Sequence, residues 1–175
     1  MKKIAICLFI LNSLFSLDSF AQKKKKQRDA TDDCLAIIGF FYNQNQIRNI
    51  NAYLYEGPNI IDSTKVNSMK DFGFILKKNK EYSLKIVAKG YYPRLISFDT
   101  RLPDDVSIVP VFVFEFDIIL IPEIKGVDDY FTDFPIALVE FEPKTQKFNY
   151  NKKYTAKIQK ELDKVKDQFK VRKSR

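Results

Sequence analysis

Phe72-Gly73-Phe74-Ile75-Leu76 and Tyr82-Ser83-Leu84-Lys85-Ile86-Val87-Ala88, separated by the polar break 77–80, are two alternating runs. Lys89-Gly90-Tyr91-Tyr92-Pro93 and a further run, Leu95-Ile96-Ser97-Phe98, follow at once. Successive side chains of a strand leave opposite faces of the pleat, so alternation of this kind reads as half-buried β-structure. The middle of the chain is therefore a sheet, with Leu84 and Ile86 on its core side.

Working outward, the same pattern recurs on both sides. Strands are expected at 35–42, 51–56 and 60–66, before the central pair at 72–76 and 81–88. In the second of these, Ala52 and Leu54 take one face, and Tyr53 and Tyr55 the other. Gly57-Pro58-Asn59 closes it, because that trio favours a turn over continued pairing. The polar residues 77–80 read as a hairpin between the central strands. Gly73 sits inside a strand, where a bulge or a close backbone approach is the usual reason.

The last run, 112–121, is the most apolar. Phe112, Phe114, Phe116, Ile118 and Leu120 alternate against Val113, Glu115, Asp117, Ile119 and Ile121. Its first face belongs to the core, with Phe112, Phe114 and Phe116 as central members. Glu115 and Asp117 keep the other face wet, which argues for an antiparallel sheet covered on one side. About seven short strands with turn signals every 8 to 12 residues predict a mainly β, seven-stranded antiparallel β-sandwich of the transthyretin-like or immunoglobulin-like kind.

The ends of the chain have a different character. Lys2 and Lys3 precede an apolar run at 4–17, and Ser19-Phe20-Ala21 supplies the small residues of a cleavage site. Residues 1–21 read as a secretory signal peptide cut after Ala21, placing the protein in the periplasm or outside the cell. An apolar run of 14 residues is short of the roughly 20 that span a bilayer. Residues 22–34 form a basic linker, 35–122 the sandwich, and 123–150 an extension of loop with one or two added strands. Once residues 1–21 are removed Cys34 is the only cysteine left, so no internal disulfide is expected.

All seven prolines lie between Pro58 and Pro143, leaving residues 151–175 free to be helical. Tyr154, Ile158, Leu162, Val165 and Phe169 recur there at helical spacing and form one narrow apolar stripe. The segment carries ten basic and three acidic residues, near +7, whereas residues 34–150 carry 13 and 15, near −2. The positive balance of the whole chain, +8, therefore belongs to its ends. With no aromatic RNA-binding motif, zinc finger or helix-turn-helix pattern beside it, this charge does not point to nucleic acid. In an exported protein it points to an acidic protein surface or to anionic envelope lipid, with the five-residue stripe as the docking element.

Side-chain chemistry is sparse. The chain has no histidine, which removes a Ser-His-Asp arrangement, and no Ser-x-x-Lys context supports a serine–lysine pair. Asp104-Asp105 and Asp128-Asp129 lack the ligand spacing of a calcium loop and read as solvated loop acids. Glu115 and Asp117 share one strand face about 7 Å apart, but nothing near them in sequence suggests a cleft. No cofactor, metal or catalytic residue is expected. Tyr53 with Tyr55 and Tyr91 with Tyr92 are the candidate stacking surfaces for a glycan or peptide.

At this point the residues resemble a family. Phe72-Gly73-Phe74-Ile75-Leu76, Glu81-Tyr82-Ser83-Leu84-Lys85-Ile86 and Lys89-Gly90-Tyr91-Tyr92-Pro93 are similar to the second half of carboxypeptidase regulatory-like domains, which are transthyretin-like or Cna B-type sandwiches of exported Bacteroidetes proteins. Ile37-Ile38-Gly39-Phe40-Phe41-Tyr42 and Ala52-Tyr53-Leu54-Tyr55-Glu56 resemble the opening strands of the family. The likeness covers residues 36–121. The family's usual Thr-Asp-x-x-Gly turn is replaced here by Asn67-Ser68-Met69-Lys70-Asp71. The resemblance implies a non-catalytic spacer or binding module of the cell envelope.

Overall fold

The fold is taken from a computed structural model that describes residues 32–41, 47–106, 111–123 and 132–173. Residues 162 and 164–173 are described by their backbone. The expected signal peptide, most of the basic linker and Asp128-Asp129 lie outside the described residues.

Among the described residues nine strands and one helix follow in order: β1 Asp33–Phe41, β2 Ile50–Glu56, β3 Asn59–Val66, β4 Phe72–Lys77, β5 Glu81–Val87, β6 Arg94–Asp99, β7 Phe112–Ile118, β8 Ala137–Glu142, β9 Lys147–Tyr150 and α1 Lys152–Lys173. They form a three-stranded sheet, β4-β1-β7, and a six-stranded sheet, β3-β2-β5-β6-β8-β9. The expected count of seven is corrected to nine, because the segment after Pro122 contributes β8 and β9 to the larger sheet. The first strand begins at Asp33, inside what reads from sequence as linker.

The all-antiparallel expectation is also corrected. β1 runs parallel to β7 and β6 parallel to β8, so both sheets are mixed. Parallel neighbours need a crossover, and in both cases the intervening chain visits the other sheet.

Residues 77–80 are not a hairpin either. β4 belongs to the small sheet and β5 to the large one, so this link crosses from one to the other. Thr100, fully buried, clamps the crossing: its Oγ1 lies 2.6 Å from the Lys77 carbonyl and 2.9 Å from that of Lys80, and accepts the Lys80 N–H at 3.0 Å. The Asn79 N–H donates to the Thr100 carbonyl, with Asn79 at a φ of 59°. Lys77 N–H donates to Tyr82 Oη at 3.2 Å. These bonds satisfy a bend that carries no ladder of its own.

The β2–β3 link is a true two-residue hairpin. Gly57 takes a φ of 57°, and Pro58 cannot do the same, which leaves the II′ geometry with glycine at the first central position.

Each sheet turns one face inward. Leu35, Ile37, Phe72, Phe74, Leu76, Phe114 and Phe116 from the small sheet meet Ala52, Leu54, Leu84, Ile86, Ile96 and Phe98 from the large one in a single buried cluster. Phe98 joins the two, with ring centroids 6.3 Å from Phe114 and 6.0 Å from Phe116. Leu84, Ile86, Phe114 and Phe116 are buried as expected, while Phe112 is half-buried and stacks edge-on against Phe141 and Phe148 of β8 and β9. Gly39 faces inward and has no space for a side chain: an added Cβ would lie 2.7 Å from Phe72 Cζ. Gly73 meets the close-approach reading, since its Cβ would sit 2.8 Å from the Ile37 carbonyl oxygen.

Candidate interaction surfaces

The base of α1 is built where β9 ends. Asn151 is its N-cap: its Oδ1 accepts the Tyr154 N–H at 2.8 Å, satisfying one of the donors a helix start leaves open. Asn151 is itself held, its N–H donating to the Leu138 carbonyl and its Nδ2 to Glu140 Oε1. Tyr154 Oη donates to the Pro135 carbonyl at 2.8 Å, and burial pushes its phenol pKa up. The first turn is therefore fastened to β8 on the outer side of the large sheet. Of the expected stripe, Tyr154 and Ile158 are half-buried; the side chains of Leu162, Val165 and Phe169 lie outside the described residues.

The tyrosine pairs separate. Tyr53 and Tyr55 are half-buried on the outer face of the large sheet, opposite Lys85 and Ser83. Tyr91 packs against the core and pairs with Pro122, and Tyr92 is only 4% exposed, its N–H donating to the Ile121 carbonyl. Tyr91 and Tyr92 thus present no shared stacking surface, contrary to expectation, because the irregular chain leaving β7 packs along them through Ile121 and Pro122.

Beside Tyr55 the register sets Ser83, Ser97 and Leu138 in one row across adjacent strands. Two small side chains in that row leave a depression of about 360 Å³, with Glu81, Asp99 and Arg101 at its rim. Arg101 bonds both Asp99 oxygens and reaches Glu81 at 3.0 Å. The Arg101 guanidinium, through these bonds, holds the Asp99 carboxyl below its ordinary range.

Other candidate groups are dispersed. Asp104 and Asp105 are exposed in their loop, and Glu115 and Asp117 are exposed on the outer face of the small sheet. Among the described residues no group of three or more metal-ligating side chains assembles. Cys34 is fully buried, and burial raises its thiol to about 11, which leaves it protonated at neutral pH.

Three structural roles were missed from sequence: Thr100, Asn151 and Arg94. Asn before a lysine-rich helical run is a recognisable cap signal. Arg94 carried none. It faces inward from β6, its Nε donates to the Ile119 carbonyl at 2.9 Å, one guanidinium nitrogen has no partner among the described residues, and burial lowers its pKa.

No protein-family model matches the chain and no curated protein matches it, so neither comparison names a carboxypeptidase regulatory-like domain.

Proposed function

We propose that the protein is a non-catalytic adaptor of the bacterial cell envelope, exported by residues 1–21. Its two-sheet body serves as scaffold, a β-sandwich of the transthyretin-like kind resembling carboxypeptidase regulatory-like domains. Its C-terminal helix is the docking element for an acidic surface. The observation that carries this reading is the asymmetry of α1: Asn151 fastens its first turn to β8 and Tyr154 to the Pro135 carbonyl just before it, while the helix runs on to Lys173 with nine basic residues against three acidic. A helix of 22 residues is about 33 Å long, so a fixed base presents a long basic rod. Anionic lipid headgroups are the alternative counter-charge.

The test is deletion of residues 151–175 in the native host. The two-sheet body should melt almost unchanged while its co-purifying envelope partner is lost. Unfolding on deletion makes the helix part of the core and ends the docking reading. The intact mass of the envelope form should begin at Gln22.

A second reading is a glycan- or peptide-binding module centred on Tyr53 and Tyr55. The depression floored by Ser83 and Ser97 favours it, since it adjoins the only stacking pair of the two that stays on an outer face. Tyr55→Ala should abolish any oligosaccharide-induced chemical-shift changes in that row; their absence in the parent protein removes this reading.

A further inference from the structure

Among the described residues, the outer face of the three-stranded sheet is largely apolar and uncovered. Ile75 of β4, Ala36 of β1 and Val113 of β7 stand side by side in register, with Ile38 and Phe40 next along β1. Val113 is 61% exposed, Ile75 55% and Phe40 37%. Gly73, opposite Ile38, adds no side chain, so the surface stays low between them. Glu115 and Asp117 border the patch along β7, opposite Ile38 and Phe40. A sheet face meant for water alternates to polar residues. Contiguous apolar positions across three strands, rimmed by charge, mark an interface.

We propose that this face receives helix α1 of a second copy of the chain, in a reciprocal pair where each copy gives one helix and accepts one. The inference rests on the docking role of residues 151–175 and names their partner. Charge selects the occupant: the border of the patch is acidic, and the helical segment is near +7. The copy's own helix is not available to this face. Its base is fastened over β8 on the outer side of the opposite sheet and it continues unbroken to Lys173, whereas the apolar face lies across the core. Direct pairing of two such sheet faces brings Glu115 and Asp117 against the same residues of the other copy, a like-charge contact that disfavours it. Reciprocal exchange closes as a two-fold dimer and buries both apolar faces.

Sedimentation velocity of the protein, expressed with its own leader, tests the proposal across a wide concentration range. The expected result is a monomer–dimer equilibrium weakened by added salt. Val113→Lys, which opposes both the apolar contact and the charge match, should raise the dissociation constant about tenfold or more without lowering the melting temperature of the monomer, because the side chain is exposed. Glu115→Lys with Asp117→Lys should do the same, and adding Lys157→Glu with Lys160→Glu on the helix should restore part of the association. A parent protein that stays monomeric overturns the proposal. So does a dimer that survives Val113→Lys, since it uses another face. If the parent is monomeric yet deletion of residues 151–175 still releases an envelope partner, the docking role stands and the second copy is the wrong partner.

Discussion

The two sheets follow one rule on the inside and opposite rules on the outside. In both, apolar residues alternate into the core, with the exposed β3 and the buried Arg94 as exceptions, and Phe98 joins the two inner faces through Phe114 and Phe116. Outward, the six-stranded sheet shows Tyr53, Tyr55, Ser83, Lys85, Ser97 and Glu140, with the base of α1 fastened over β8. The three-stranded sheet shows Ile75, Ile38, Phe40 and Val113, with Glu115, Asp117, Lys77 and, opposite Lys77, Asp33 as charged company among the described residues. One outer face mixes polar residues with scattered apolar ones such as Ile60 and Leu138, and the other is largely apolar. The difference teaches that inward alternation makes the body, while the choice of outward residues decides what meets it.

The comparison breaks most severely if the inner faces are not one unit. Phe98→Ala should cost about 3 to 5 kcal/mol, and amide exchange should then quicken in both sheets together. Loss of protection in the six-stranded sheet alone shows that the sheets fold independently.

A smaller effect sharpens how the sheets are joined. Thr100→Val keeps the shape but removes the hydroxyl that clamps the β4–β5 crossing, taking a part-buried hydrogen bond from the Lys77 carbonyl and from the Lys80 N–H, while the Lys80 carbonyl keeps the Thr100 N–H. Chemical denaturation should show a loss of about 1 to 3 kcal/mol. An unchanged midpoint means the crossing is held by its backbone bonds and Tyr82.

Asn151→Ala separates the two outer faces. Removal of an N-cap costs about 0.5 to 2 kcal/mol, and here the loss should be confined to the base of the helix. Exchange should rise at Tyr154 and Thr155 and stay unchanged in β1, β4 and β7. Equal effects in both sheets contradict a local cap.

The smallest effect is a pH dependence on the polar face. Asp99 has a lowered pKa in the folded protein, so the unfolded chain takes up its proton more readily. Its contribution is present above the ordinary aspartate pKa near 3.9 and is lost as pH falls below that value toward the folded one. Arg101→Gln should flatten this part of the stability profile. A profile identical to that of the parent places the acid-sensitive contact elsewhere.

Much of this was legible beforehand. The strands at 51–56, 72–76 and 81–88 lie within a residue or two of β2, β4 and β5, because their alternation is local and strong. Gly57-Pro58 declared its turn, and Gly73 its close backbone contact. The link 77–80 misled because four polar residues suit a hairpin and a sheet-to-sheet crossing equally well; Thr100, which decides between them, arrives twenty residues later. Tyr91 and Tyr92 misled for a related reason: polar-looking neighbours gave no sign that the chain after β7 returns to cover them.

By itself, then, the sequence determined the period of each element, the side that faces the core, the turns that glycine and proline demand, and a basic helix at the end. These are properties of a residue and its near neighbours. Tertiary structure alone decided which sheet each strand joins, that β1 and β7 and also β6 and β8 run parallel, that Arg94 and Thr100 are buried, and that one outer face stays apolar while the other holds the helix base. Strand partners are chosen by packing volume and backbone pairing between residues far apart in the chain, and a period of two is the same whichever partner is chosen.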